Sequence, residues 1–187
     1  MPVDASALAK RVTLAPADWN SGYKRAAPYE SADLTEGVTD AKCKYSIKPV
    51  TNALGGRQRN VQSADETVYV TSELIVFKQP AAAHQTITRF RRGTMRCRTV
   101  EAADDKSQWK DVHEVEIPKK GFDEVAAEEA HQVLDATGQT MDAYYIYAYG
   151  RKGQYLMEAY VARSGSGTQE QNRHDAVAAL TLMLSRL

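Results

Sequence analysis

The sequence predicts an α+β fold in which helices pack on a central antiparallel β-sheet, the last of them a C-terminal amphipathic helix. Three segments carry that prediction. Thr67–Phe77 is dense in β-branched and aromatic residues and nearly free of helix formers, the composition of a strand. Met141–Tyr149 and Gln154–Ala162 share that character and are joined by Gly150-Arg151-Lys152-Gly153, a short connection with glycine where a hairpin needs positive φ. From Thr168 the chain closes on a helix whose Val177, Leu180, Leu184 and Leu187 recur at helical steps and need a sheet to cover them. At 187 residues, 43% of them hydrophobic, the chain has enough apolar material for one core. Residues 1–187 are therefore expected to form a single domain, with 1–40 as its less ordered part.

Along the chain, Ala5–Val12 favours a short helix, and Pro16-Ala17-Asp18-Trp19 a helical turn opened by proline at its first position. The weakly patterned stretch to about residue 60 reads as loops, with short strands around Cys43-Lys44-Tyr45 and Arg59–Val61. In Thr67–Phe77 the even positions Val68, Val70, Leu74 and Val76 are apolar, and so are Tyr69, Ile75 and Phe77, so both faces of this strand should be covered. Pro80 opens a helix running to Arg92, with Ala83, Ile87 and Phe90 on one face and Gly93 placed to end it. Residues 101–111 look like an exposed loop, and His113–Ile117 a short strand stopped by Pro118. Phe122–Leu134 is rich in Ala and Glu and favours helix by propensity. In the hairpin, Met141, Ala143, Tyr145, Tyr147 and Tyr149 share one side of the first strand, and Tyr155, Met157, Ala159 and Val161 one side of the second. That parity is expected to set the inner face.

Lys plus Arg equals Asp plus Glu at 24 each, so no bulk field draws the chain to nucleic acid or to an anionic membrane, and no nucleic-acid partner is expected. No apolar run reaches the length of a membrane span, and Met1-Pro2-Val3-Asp4 lacks the basic-then-apolar pattern of an export signal. An export signal or lipid anchor would have to precede the sequence as given.

No catalytic constellation is found. His113-Glu114-Val115-Glu116 lacks the His-Glu-x-x-His spacing of a zinc site, and Glu128 with His131, like His174 with Asp175, is explained by solvated helix faces. Ser164-Gly165-Ser166-Gly167 has the wrong frame for a nucleophile elbow. Asp123-Glu124 and Glu128-Glu129 are merely sequence neighbours, and Gly55-Gly56 is not followed by the Lys-Ser or Lys-Thr of a phosphate loop. No catalytic residue, metal or cofactor is predicted, and the chain is expected not to be an enzyme. The arginines stand out instead: Arg89, Arg91, Arg92, Arg96 and Arg98 crowd residues 88–98. With Arg57 and Arg59 they suit phosphate or carboxylate, against the plainer reading of a solvated basic face. The ligand-contact candidates are Arg57, Arg59, Arg89, Arg92 and Arg96, which allows an anionic ligand. Ten tyrosines against three phenylalanines suggest half-exposed sheet faces or a polar-lined cleft. The two cysteines, Cys43 and Cys97, meet the arithmetic of one disulfide, although two buried thiols of a cytosolic protein would look the same.

The order of strand Thr67–Phe77, then Ala81-Ala82-Ala83 and its helix, then Cys97, with Cys43 upstream, resembles the PknH-like extracellular sensor domains of mycobacterial Ser/Thr kinases and related actinobacterial lipoproteins. The later hairpin and final helix fit as well, so the resemblance spans residues 40–187. That family commonly has two disulfides, and often an aromatic residue where this chain has Met95-Arg96 before the second cysteine. The resemblance implies an exported domain with a Cys43–Cys97 bridge, a central antiparallel sheet, and a cleft for an unidentified envelope ligand, with no activity attached. It also implies that Phe122–Leu134 is a strand. The function expected is thus a non-catalytic extracytoplasmic ligand-binding or sensor module at the cell surface, touching the membrane only through an anchor outside this sequence. A structural or protein-interaction lipoprotein is the alternative, and a hydrolase a more distant one.

Overall fold

The computed structural model describes residues 4–187; Met1, Pro2 and Val3, and with them most of the N-terminus read above for an export signal, lie outside the described residues. The fold is the expected α+β arrangement. Its sheet comprises β1 (Tyr23–Ser31), β2 (Thr35–Thr39), β3 (Lys44–Pro49), β4 (Ala53–Ser63), β5 (Val68–Phe77), β6 (Thr99–Ala102), β7 (Gln108–Glu114), β8 (Glu124–Leu134), β9 (Thr140–Lys152) and β10 (Tyr155–Ser164). The helices are α1 (Ala5–Val12), α2 (Pro16–Trp19), α3 (Pro80–Arg96) and α4 (Gln169–Ser185). The ten strands form one curled sheet in the order β1-β4-β5-β10-β9-β8-β7-β6-β3-β2. Neighbours are antiparallel, except that β3 and β6 run parallel. No helix of the described residues is long and apolar enough to cross a membrane.

Both faces of the central strands are covered, as the double apolar phase of Thr67–Phe77 predicts. On one face α1 and α4 close over Val70, Leu74, Val76, Ile146, Ala148, Met157, Ala159 and Val161. Each large aliphatic side chain withdrawn from water there contributes about 1.5–3 kcal/mol. On the other face α3 covers Ile75, Phe77 and Leu156 through its Ala83 and Ile87. A third cluster, around Cys97, Val100, Val112 and Tyr145, closes the far end. Cys43, just before β3, is disulfide-bonded to Cys97 at the end of α3.

The structure departs from the sequence expectations at several places. The stretch read as loops with two short strands holds four strands, β1 to β4. The segment 1–40, expected to be less ordered, contributes α1, α2, β1 and β2, and its Ala9, Val12 and Leu14 are fully buried. Asp4 caps α1, its Oδ1 accepting the Ser6 and Ala7 N–H groups at 3.0 and 3.1 Å. Helix α3 runs a turn past Gly93, where a Cβ would stand 3.3 Å from the Cβ of Thr39. This glycine is therefore a close-approach residue rather than a helix stop, and it lets β2 lie against the helix. Of the expected 101–111 loop, residues 103–107 form the connection between β6 and β7 and the rest is strand; β7 takes in His113 and Glu114 of the expected His113–Ile117 strand and ends there.

Phe122–Leu134, a helix by propensity but a strand by the resemblance, contains strand β8. Its alanines are what the neighbouring strand requires: Ala126 and Ala130 sit opposite Tyr149 and Tyr145, and Ala127 opposite Ala148. Small side chains there leave room for the tyrosines, and ladder pairing on both edges outweighs local helix preference. The hairpin turn is shorter than expected, since Lys152 already pairs with Tyr155 around Gly153, whose φ is +58°. The parity reading also changes. Met157, Ala159 and Val161 pair with Gly150, Ala148 and Ile146, while Tyr145, Tyr147 and Tyr149 stand opposite Ala162, Tyr160 and Glu158. The hairpin thus has two inner faces, one aliphatic and one tyrosine-rich. Helix α4 buries Asn172, Ala176, Ala179, Leu180 and Met183. Of the stripe expected on it, Leu180 is buried while Val177, Leu184 and Leu187 are half-buried.

Candidate functional site

Strand alternation and register build the site. One row across the sheet reads Gln58, Glu73, Glu158, Tyr149, Ala126, and the next Asn60, Thr71, Tyr160, Tyr147, Glu128. Both rows lie on the face opposite α1 and α4. The sheet curls so that β2 returns beside α3, and between them lies a cleft of about 280 Å³. Its floor holds Tyr145, Tyr147, Tyr149, Tyr160, Glu128 and Glu158; Phe90, Thr94 and Arg89 of α3 form one wall, and Tyr45 and Trp109 another. The aromatic rings support one another edge-on or tilted: Phe90 and Tyr149 have centroids 4.9 Å apart, Tyr45 and Trp109 5.4 Å, and Tyr160 lies 5.5 Å from both Tyr145 and Tyr147.

Within this aromatic lining the carboxyl groups are out of place. Glu73 and Glu158 are direct cross-strand neighbours, only 3% and 4% exposed. Burial pushes the Glu158 carboxyl up to about 7, while hydrogen bonds with Tyr147, Tyr149 and Glu73 pull the other way. Burial, and then the charge of Glu158, push Glu73 well above the carboxylate range. Two carboxyls this close share a proton rather than both ionise. One oxygen of Glu73, Oε1, is buried without a hydrogen-bond partner. Glu128 is also raised by burial, against the opposing hydrogen bonds from the hydroxyls of Thr94 and Tyr145, the latter at 3.0 Å. Burial raises Tyr145, Tyr147 and Tyr149 far above an ordinary phenol, so near neutrality their hydroxyls remain donors. The floor therefore offers phenol donors, aromatic faces and protonatable carboxyls.

The five arginines singled out in the sequence do not converge. Arg57 and Arg59 are on the α1 side of β4, both bonded to Glu30, at 2.6 and 2.8 Å, and Arg59 also to the Thr13 carbonyl. Arg89 reaches the cleft wall with its guanidinium 2.7 Å from Glu36. Arg96 donates to the carbonyls of Thr39 and Asp40 and so ties β2 to α3. Arg92 is exposed on α3. His131 and Glu128, expected to be neighbours on a helix, point to opposite faces of β8; His131 stacks on Tyr144 and meets Asp142 at 2.8 Å. Sequence reasoning missed the acids. Glu73 was visible as a lone charge inside a β-branched run, and Glu158 as another inside an apolar strand, but their adjacency depends on β10 pairing with β5.

No family model matches the chain, and no curated protein matches it in sequence. Solved structures do resemble it. The extracellular domain of PknH from Mycobacterium tuberculosis superposes with a TM-score of 0.66 at 14% identity, over 99% of this chain and 98% of that one. A Mycobacterium smegmatis protein described as an Rv0999 ortholog gives 0.46 at 12% identity, over 98% and 99% of the two chains. The first superposition shows that this chain and the PknH extracellular domain share a fold from end to end.

Proposed function

We propose that this chain is a non-catalytic, extracytoplasmic sensor-like module of the bacterial envelope that binds a small ligand reversibly in the tyrosine-lined cleft. The observation that carries the reading is the cleft floor. A folding core has no use for Glu158 beside Glu73 with an oxygen left unbonded, because burying unpaired carboxyls costs stability. A pocket lined by aromatic groups with a few inward polar ones is how small-molecule sites are built. The fold shared with an extracellular domain supports placement outside the cytoplasm. So does the Cys43–Cys97 bridge, since disulfides persist in oxidising compartments.

A thermal-shift screen of small envelope components tests the proposal. A true ligand raises the Tm of the wild type and quenches or shifts emission from Trp109, which lines the cleft; the variant Gln58→Trp, which places an indole at the cleft wall, loses both responses. Compounds that act equally on both proteins would remove the cleft from the reading. A second reading, hydrolysis with Glu128 and Glu158 as acid and base, is favoured by their raised proton affinity. It predicts turnover of a bound glycan or ester that Glu158→Gln abolishes, whereas the binding module returns its ligand unchanged.

A further inference from the structure

Resting on the cleft as a binding site, we infer that its ligand carries a small organic ammonium group, held against Glu158, with Glu73 next to that carboxyl, and flanked by the faces of Tyr147, Tyr160 and Phe90. The argument begins with how the rest of the molecule treats its acids. Glu129, as buried as Glu158, receives two hydrogen bonds from Arg173. Glu30 holds Arg57 and Arg59, Glu124 holds Arg91 and Arg151, Asp175 holds Arg163, and Asp18 holds Arg186. These carboxylates are matched by guanidinium groups, and Glu128 by the hydroxyls of Thr94 and Tyr145. Among the described residues, Glu73 and Glu158 are buried glutamates without such a partner; Glu158 lines the aromatic cleft, and Glu73 lies beside it on the neighbouring strand.

The groups facing them supply no cation. From β5 comes Glu73 itself, from β4 the uncharged Gln58, and from β9 the phenols of Tyr147 and Tyr149; Tyr45 of β3 and Glu128 of β8 stand nearby. From α3, Thr94 donates to Glu128, and Arg89 is taken by Glu36. His113 of β7 acts through space on Glu128, and its Nε2 lies 3.8 Å from Glu129, which is not part of the cleft. An anion entering the cleft would meet carboxyl oxygens and the negative faces of the rings. A cation would meet favourable charge on both counts, since aromatic faces attract ammonium groups most strongly where water is excluded. The carboxyl of Glu158, on the cleft floor and without a guanidinium partner, is the acceptor such a ligand would satisfy.

The inference also sets a direction with pH. A cation binds the ionised carboxyl pair, so binding expels the shared proton, and affinity rises as pH is raised through the titration of Glu158.

Isothermal titration with choline, with its neutral isostere 3,3-dimethyl-1-butanol and with inorganic phosphate, each at pH 6 and pH 8, tests this. Choline should bind at least tenfold more tightly than the isostere, and more tightly at pH 8 than at pH 6. Glu158→Gln, checked for folding by circular dichroism, should weaken choline at least tenfold and bring it close to the isostere. Tyr160→Leu, which keeps an apolar contact but removes the ring, should weaken choline severalfold and leave the isostere nearly unchanged. Isostere binding equal to choline, tighter binding of phosphate, or choline affinity unaffected by Glu158→Gln would each overturn ammonium recognition while leaving the cleft a ligand site. Failure of choline to bind at millimolar concentration overturns it too; if in addition no envelope component shifts Trp109, the cleft reading falls with it.

Discussion

Glu158 and Glu73 are the residues at which this fold sacrifices stability. A carboxyl whose folded pKa is raised destabilises the native state as it is forced to ionise. Below about pH 4.5 both folded and unfolded forms of Glu158 are protonated and nothing is lost; between there and about 7 the unfolded chain ionises first and stability falls. Wild-type protein should therefore have a higher Tm at pH 5 than at pH 8. In Glu158→Gln that difference should shrink and stability at pH 8 should rise, by at least about 1 kcal/mol, since each pKa unit is worth about 1.4 kcal/mol. Urea titrations of both proteins at the two pH values measure it, and identical pH profiles would refute it. At the same scale, Leu74 is fully buried between α1 and the sheet, and Leu74→Ala should cost about 2–5 kcal/mol in the same measurement.

Helix α3 and strand β2 form one side of the cleft. Their contact rests on Gly93 against Thr39, on Arg89 with Glu36, and on Arg96 with two β2 carbonyls. Exposed pairs of this kind contribute little to global stability. Arg96→Ala should leave the Tm nearly unchanged while hydrogen exchange at the β2 amides, 35–39, becomes faster; unaltered exchange would show that Arg96 does not hold this edge. The bridge itself closes a loop of 54 residues between the start of β3 and the end of α3. Replacing both cysteines by alanine should cost about 4 kcal/mol by the loop-entropy estimate, read as a fall in urea midpoint. Protein purified without reductant should show no titratable thiol, and two per molecule would argue against the oxidised compartment. Elements with strong local patterns were legible in advance: the strand in Thr67–Phe77, the helix opened by Pro80 and the hairpin at Gly153 are each set by neighbouring residues. Strand β8 was legible only through the resemblance and not from its local pattern, because Ala126, Ala127 and Ala130 are selected by the tyrosines of β9 across the ladder rather than by their own neighbours in sequence.

Across the whole molecule the two faces of the sheet have separate roles. The aliphatic face is sealed by α1 and α4 and holds the fold; the tyrosine face is covered by α3 only in part and keeps the cleft. The five arginines first considered for ligand contact show how far composition alone reaches: their clustering in sequence was plain, yet the twist of α3 and the alternation of β4 send them to different partners. Sequence by itself determined the α+β class, the central strands, the helix after Pro80 and the closing helix, because helical and strand periodicities are written in residues a few positions apart. Tertiary structure decided that β8 is a strand, that the hairpin tyrosines line a cleft, and that Glu73 meets Glu158. Those outcomes depend on strand order and register, which are set by pairing between segments far apart in the chain.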